Sequence, residues 1–397
     1  MCKTGRLYGI ISFMQRFDII CPCHFGLEAV LKREIQDLGY EIGRTEDGRV
    51  TFHGDPDAVV RANLWLRTAE RVLIDCAEFD AFTFDDLFEG VKAVEWEKYI
   101  PKNGRFWVKK ASSVNSKLFS PRDIQAIVKK AMVDHLSGVY GLTRFEEDGD
   151  DYPLRVFINK DHVTLGLDTT GASLHKRGYR PEANEAPIAE NLAAALIGLT
   201  PWKPDRVFID PFCGSGTLPI EAALIARGIA PGLFRDFTAK RWTNFIDKTL
   251  WSDNIDEAKD EIRDGATAEI LGYDIDPEAV RVAQANAKRA GVDDMVRFGV
   301  RPVSELDHSG RYGFVVTNPP YGERIGEAEA LPGIYADLGE AMKRLDTWSF
   351  YLITSYEEAE RRIGRKAAKN RKIYNGMLKT RYLSYPGPKP AGRKEHI

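Results

Sequence analysis

Asp210-Pro-Phe-Cys-Gly-Ser-Gly-Thr217 directly follows the apolar run Val207–Ile209 and precedes the helical stretch Leu218–Ala226. Gly214 and Gly216 permit a tight turn and let a ligand approach the backbone closely. A strand entering a glycine turn and then a helix is how an α/β sheet opens, and such sheets bind ligands at the carboxyl ends of their strands. The turn is not a phosphate loop, because no Gly-Lys-Ser/Thr ending follows. Nor does it have the spacing of the dinucleotide glycine motif.

Downstream, strands and helices alternate. Ile270–Asp274 reads as a strand and Glu278–Ala290 as a helix, with Asp276 as N-cap, Pro277 in its first position and Gly291 as its stop. Phe314–Thr317 and Phe350–Ser355 are further strands. This alternation predicts a mostly parallel sheet with helices on both faces. Arg371–Tyr374 and Leu378–Tyr385 then flank Asn375-Gly376, a two-residue hairpin signal that closes the sheet with an antiparallel pair.

Three motifs carry chemistry. Asp210 suits a ligand with an ammonium group, such as the methionine part of S-adenosylmethionine, with Phe212, Gly214, Ser215, Gly216 and Thr217 completing its loop. Asp274 ends the next strand beside Ile275, where a carboxylate can accept from both ribose hydroxyls. Asn318-Pro319-Pro320-Tyr321 follows the Phe314–Thr317 strand. The Asn318 side-chain oxygen and the Pro319 carbonyl can hold an exocyclic amino group, which steers its nitrogen toward a methyl donor. Tyr321 can stack on the base, a contact worth ~1–3 kcal/mol.

Upstream the pattern changes. Phe17–Cys21, Tyr40–Thr45 and Arg49–His53 read as strands, and Gly26–Leu38 and Asp57–Leu66 as helices, forming a small α+β unit with Asp47-Gly48 as a turn. A second α+β unit follows, with strands at Arg71–Phe79 and Arg105–Lys110, helices at Phe84–Val94 and Arg122–Leu136, and a hairpin of Leu154–Asn159 and Val163–Asp168. Residues 171–187 are rich in glycine, proline and charge, and read as a connector that doubles as a cofactor-facing loop.

The bulk properties exclude several classes. The 397-residue chain calls for two or three domains. Its 43% hydrophobic and 29% charged content is that of an ordinary soluble protein, and no apolar run approaches the ~20 residues of a membrane span. Leu7–Phe13 lacks a small-residue cleavage site, so it is no signal peptide, and Met14 is an alternative start. Cys2, Cys21, Cys23, Cys76 and Cys213 form no paired array, which argues against structural zinc and a secreted disulfide framework and for the cytoplasm. The net charge of −3 hides its distribution. Lys98–Lys130 holds nine basic residues and one acid, and Arg361–Ile397 holds twelve and one. Interleaved aromatics make these runs candidates for RNA contact. Lys109, Lys110, Lys117, Arg122 and Lys129 come from the first. His175, Lys176, Arg177 and Arg180 of the connector can meet a methionine carboxylate or the RNA backbone; Arg177 and Arg180 are the RNA candidates among them.

With these motifs the chain resembles the class I S-adenosylmethionine-dependent methyltransferases that carry an N-terminal THUMP domain. Its closest likeness is to the bacterial 23S rRNA guanine-N2 methyltransferase family (RlmL/YpsC-like). DPFCGSGT, LHKRGYR at 174–180, NPPYGERIG at 318–326 and the Asn375-Gly376 hairpin carry the likeness, which runs from about Phe17 to Tyr385. The resemblance implies a Rossmann-like α/β methyltransferase domain preceded by α+β ferredoxin-like and THUMP domains. The expected division is a leader at 1–16, a ferredoxin-like domain at 17–66, THUMP at 67–170, a connector at 171–190, the methyltransferase at 191–386 and a basic tail at 387–397.

The resemblance further implies transfer of a methyl group from S-adenosylmethionine, leaving S-adenosylhomocysteine, to the 2-amino group of a guanosine swung out of 23S rRNA or a large-subunit precursor. No metal and no membrane are expected. Asp274 lies 58 positions after Gly216, and the stretch between contains an insertion, APGLFRDF and RWTNF…LW, like that of the rRNA branch. Pro302 stands where the family usually has an adenine-binding Asp, leaving Ser304 or backbone for that role. The chain ends soon after the hairpin, so the second methyltransferase fused in some relatives is not expected. The alternatives are guanosine-N2 methylation of tRNA, amino methylation of adenine in DNA, and a catalytically silent RNA-binding or ribosome-assembly protein.

Overall fold

The computed structural model describes residues 16–180, 188–322, 328–376 and 378–390. The expected leader with Met14, the second half of the connector, residues 323–326 of the NPPY segment and most of the basic tail lie outside the described residues.

The chain runs β1 (Phe17–Pro22), α1 (Glu28–Asp37), β2 (Ile42–Glu46), β3 (Arg49–Gly54), α2 (Pro56–Trp65), β4 (Leu73–Asp80), α3 (Phe84–Lys92), β5 (Arg105–Val114), α4 (Pro121–Tyr140), β6 (Asp151–Asn159) and β7 (His162–Asp168). Local chemistry sets these bounds. Asp55 caps α2 ahead of Pro56, Thr83 and Asp86 form a capping box on α3, and Ser120 caps α4 ahead of Pro121. Lys160 and Asp161 both take positive φ (54° and 65°) in the β6–β7 turn, so His162 belongs to the strand and not to the connection.

The two N-terminal units are not separate. They share one seven-stranded sheet of order β2-β3-β1-β4-β7-β6-β5. The join is short: Ile19 pairs with Ile74 and Ile20 with Leu73, antiparallel. All four side chains are fully buried, so the seam is sealed by apolar packing as well as by its ladder.

The second layer system comprises α5 (Glu190–Gly198), β8 (Phe208–Asp210), α6 (Thr217–Arg227), α7 (Lys248–Asp260), β9 (Ile270–Asp274), α8 (Pro277–Arg289), β10 (Val296–Val300), β11 (Phe314–Thr317), α9 (Leu331–Arg344), β12 (Ser349–Thr354), α10 (Ala359–Ile363), β13 (Lys369–Asn375) and β14 (Leu378–Tyr385). Its sheet order is β10-β9-β8-β11-β12-β14-β13. β8 to β12 pair in parallel and β14 runs antiparallel to both neighbours. The order reverses at β8, so the crevice outside the carboxyl ends of β8 and β11 is the place for a ligand.

The expected hairpin turn shifts by one residue. Asn375 pairs with Leu378, so Asn375 is the last residue of β13 and the turn starts at Gly376, whose φ is +60°.

The insertion between α6 and β9 leaves its own sheet and packs on the N-terminal one. Phe237, Trp242 and Trp251 join the N-terminal core. Trp242 stacks on Tyr152 with centroids 5.0 Å apart, and its indole N–H donates to the Asp151 carbonyl at 2.8 Å. Arg61 on α2 pairs with Glu257 on α7 at 2.6 Å. Among the described residues no helix is long and apolar enough to cross a membrane.

Candidate active site

Asp210, Asp274 and Asn318 stand at or just beyond the carboxyl ends of three adjacent strands, β8, β9 and β11. Asp210 is 2% exposed and accepts from the Phe212 N–H at 3.1 Å and from the Thr317 hydroxyl at 2.6 Å. Burial raises its carboxyl to about 7, and the neighbouring Asp274 charge adds to the rise, while the two hydrogen bonds oppose it.

The glycine loop is braced across the sheet. The Gly214 N–H donates to one Asp274 oxygen at 2.9 Å, and the Asp276 N–H to the other at 3.0 Å. Asp276 caps α8 through the Glu278 N–H, as its place before Pro277 predicts. The Ser215 carbonyl receives the buried Asn286 amide at 3.0 Å. Gly216 has φ +85° and sits so close to α8 that a Cβ there would lie 2.9 Å from Ala283. At Gly214 a Cβ would meet nothing within 4 Å, so the loop leaves open space on that side.

These residues fit S-adenosylmethionine. A buried carboxyl with a raised pKa is suited to a cation, and Asp210 would take the ammonium. Asp274 keeps lone pairs for ribose hydroxyls beyond its two backbone bonds. Ile275 is 70% exposed and Val300, paired with Asp274 across β9–β10, is 56% exposed. Two exposed apolar side chains at the mouth of a ligand crevice suit the faces of an adenine ring. Pro302 opens a short helical turn, Val303–Glu305, in which Ser304 is exposed.

Asn318 directly follows β11, and its side-chain oxygen is buried with no hydrogen-bond partner among the described residues. Leaving such an acceptor unpaired costs ~1–3 kcal/mol, which a ligand donor would recover. The Pro320 carbonyl receives the Tyr335 hydroxyl at 3.2 Å, and Tyr335 in turn lies 2.6 Å from the Thr354 hydroxyl. The Tyr321 hydroxyl accepts from the Asn375 amide at 3.2 Å. Cys213 is buried in the loop with its thiol pushed well up by burial, so it is no thiolate nucleophile.

The connector cations are placed differently from expectation. Arg177 is 4% exposed and donates to the Leu174 and Arg67 carbonyls at 2.5 Å, 3.5 Å from Glu221. It is a buried joint between connector, N-terminal module and α6, not a phosphate contact. Arg180 pairs with Glu190 at 2.7 Å and donates to the Thr217 hydroxyl at 3.1 Å, at the edge of the cofactor loop. Both are drawn inward because their partners, Glu221 and Glu190, are themselves buried acids that require a counter-charge. Burial, with Arg177 and Lys176 nearby, lowers His175 to about 4, so its ring is neutral at physiological pH.

On the N-terminal module, Lys110, Lys117 and Arg122 are exposed. Lys117 also lies over the Phe82 ring at 4.8 Å. Lys109 donates to the Gly171 carbonyl at 3.0 Å, and burial lowers its pKa. Lys129 is held over the Phe106 ring at 3.6 Å and paired with Glu147. A cleft of about 710 Å³ opens here between β5 and α4, lined by Arg105, Trp107, Gln125 and Lys129.

Thr317, Tyr335 and Asn375 are parts of the site that the sequence reading missed. Thr317 had a signal, since it is the one polar residue ending the otherwise apolar run Phe-Val-Val. Tyr335 had none, because nothing local to α9 shows which carbonyl it reaches.

Comparison with known proteins agrees with this geometry. Residues 177–384 match the model of the RMKL-like methyltransferase domain, 18–73 that of the RlmL ferredoxin-like domain and 81–168 that of the THUMP domain. A Bacillus subtilis (strain 168) protein named as an RNA methyltransferase, YpsC, is 46% identical over 374 residues, 94% of this chain and 96% of that one. The ribosomal RNA large subunit methyltransferase K/L of Methylococcus capsulatus is 35% identical over 93% of this chain but only 51% of its own, so the chain spans about half the length of that relative. The crystal structure of SMU.472, described as a methyltransferase complexed with SAH, superposes with a TM-score of 0.89 at 39% identity, over 95% of this chain and 99% of that one.

Proposed function

The chain belongs to the RlmL-like methyltransferase family, and on that premise we propose that it methylates the 2-amino group of a guanosine in 23S rRNA, with S-adenosylmethionine as donor. The observation that carries the reading is the buried oxygen of Asn318, which has no partner among the described residues. An acceptor held at a strand end recognises an amino group and not a carbonyl or a ring carbon. The choice of ribosomal RNA is supported by the name of the K/L relative, and the choice of guanine rests on the family likeness carried by DPFCGSGT, LHKRGYR and NPPYGERIG.

The donor, when bound, supplies an electrophilic methyl group on a sulfonium centre. Asp210 balances the cationic charge and Asp274 takes the ribose. Asn318 accepts from the base's amino N–H, which turns the nitrogen lone pair out of the ring plane. The Tyr321 ring stacks on the base. The amino nitrogen loses its proton readily once alkylated, so no side-chain base is required, and the rate gain comes from positioning. Lys110, Lys117 and Arg122 supply backbone contacts.

The test is methyl transfer from labelled S-adenosylmethionine to unmodified 23S rRNA and to bulk tRNA in parallel. Label in 23S rRNA supports the reading. Label only in tRNA keeps the chemistry and moves the substrate, and label in neither counts against catalysis.

A further inference from the structure

Asn375 and Tyr321 are 54 residues apart in sequence and meet through one hydrogen bond of 3.2 Å, from the Asn375 amide to the Tyr321 hydroxyl. Asn375 is not a turn residue. It closes β13, paired with Leu378, so its side chain has no turn to cap. Three of the four residues before it, Arg371, Lys372 and Tyr374, touch the loop between β1 and α1 in the N-terminal module. The Arg371 guanidinium donates to the Gly26 carbonyl at 3.0 Å. The Lys372 carbonyl lies so near Gly26 that a Cβ there would sit 2.8 Å from it. The Tyr374 ring meets the Phe25 ring edge-on at 6.0 Å. One short strand thus holds the RNA-binding module with three residues and the base-stacking tyrosine with the fourth.

Resting on the reading of Tyr321 as the stacking residue, we propose that Asn375 is a positioning residue that sets the orientation of the Tyr321 ring, and that β13 carries the seat of the N-terminal module to the base pocket. The phenol ring can rotate about its side-chain torsions, and its far end is held by Asn375. That bond is one restraint on the ring, and its loss widens the range of orientations in which the flipped base is presented for attack. The cost falls on turnover and not on cofactor binding, because Asn375 lies on the far side of β12 and β14 from β8 and β9.

The experiment is a double-mutant cycle on methyl transfer, with cofactor affinity measured on the same proteins. Asn375→Ala and Tyr321→Phe each remove the bond, and Tyr321→Phe leaves the ring. Each is expected to lower kcat about three- to tenfold, the range of one lost hydrogen bond. The double variant should be no worse than the worse single, with KM for RNA and Kd for S-adenosylhomocysteine within about twofold of wild type. Asn375→Asp should recover most of the rate, since a carboxylate can accept from the phenol. Multiplied losses in the double variant, a wild-type rate for Asn375→Ala, or a matching loss of cofactor affinity would overturn the proposal. No transfer by the wild-type enzyme overturns the reading of the site and this inference with it. Transfer with a failed cycle overturns this inference alone.

Discussion

The Thr317 hydroxyl donates to the Asp210 carboxylate at 2.6 Å, and Thr317 is the residue directly before Asn318. The acid assigned to the cofactor and the amide assigned to the base are therefore fixed to each other across two paired strands, β8 and β11. A shift of either strand end moves both halves of the site together. The one-residue spacing makes Thr317→Val a change that keeps shape and breaks the link.

Cofactor affinity should depend on pH through Asp210. Its carboxyl is raised to about 7 by burial, so it is mainly neutral below that value and charged above it. A ligand bearing an ammonium group needs the charged form. Binding of S-adenosylhomocysteine should therefore tighten as pH rises from about 5.5 to 7, by at most about tenfold per unit. The same shift has the opposite sign for stability of the free protein. The contribution is full below about pH 4, the unfolded value, and is lost as pH rises through about 7. Titration calorimetry on wild type and Asp210→Asn checks this; a flat wild-type profile would refute the assigned role.

Asn318→Ala should uncouple binding from chemistry. Methyl transfer should fall about 100-fold or more, as expected for loss of a group that aligns the reacting atom. RNA and cofactor affinities should stay within about threefold. If both affinities collapse with the activity, Asn318 is a structural residue.

The two loop glycines should respond differently to alanine. At Gly216 the new methyl meets Ala283 at 2.9 Å with φ at +85°, so Gly216→Ala should cost about 1–3 kcal/mol of stability by scanning calorimetry. At Gly214 the methyl points into open space, so the cost is backbone strain of about 1 kcal/mol. Its larger effect should be on cofactor affinity, because the methyl enters the space the ligand needs.

Basic residues should separate into two groups. Reversing Lys110, Lys117 and Arg122 to Glu should weaken RNA binding and flatten its salt dependence with little effect on melting. Arg177→Ala should instead destabilise the fold by about 3 kcal/mol, since it removes the guanidinium paired with buried Glu221 and leaves the Tyr179 hydroxyl as donor to that carboxylate. Filter binding over a salt series, with melting curves, tells the two apart.

Strand and helix positions were legible because their causes are local. Asp276-Pro277 announced α8, the glycine loop announced the first strand of the parallel sheet, and Phe314–Thr317 was bounded by Gly313 and Asn318. What escaped was set by partners far along the chain. Arg177 and Arg180 read as RNA contacts until buried Glu221 and Glu190 are placed beside them. Asn375-Gly376 read as a turn because that dipeptide favours one, yet pairing with Leu378 keeps Asn375 in the strand and leaves its side chain for Tyr321. The β1–β4 ladder that joins the two N-terminal units is only two residue pairs long, which no periodicity could reveal.

Methylation of a guanine 2-amino group is tested most directly by nucleoside mass spectrometry of 23S rRNA after reaction with S-adenosylmethionine. A single new N2-methylguanosine, absent with Asn318→Ala, is the predicted product. N6-methyladenosine, a ring-carbon methyl or a ribose methyl in its place would rule out guanine N2 as the methyl acceptor.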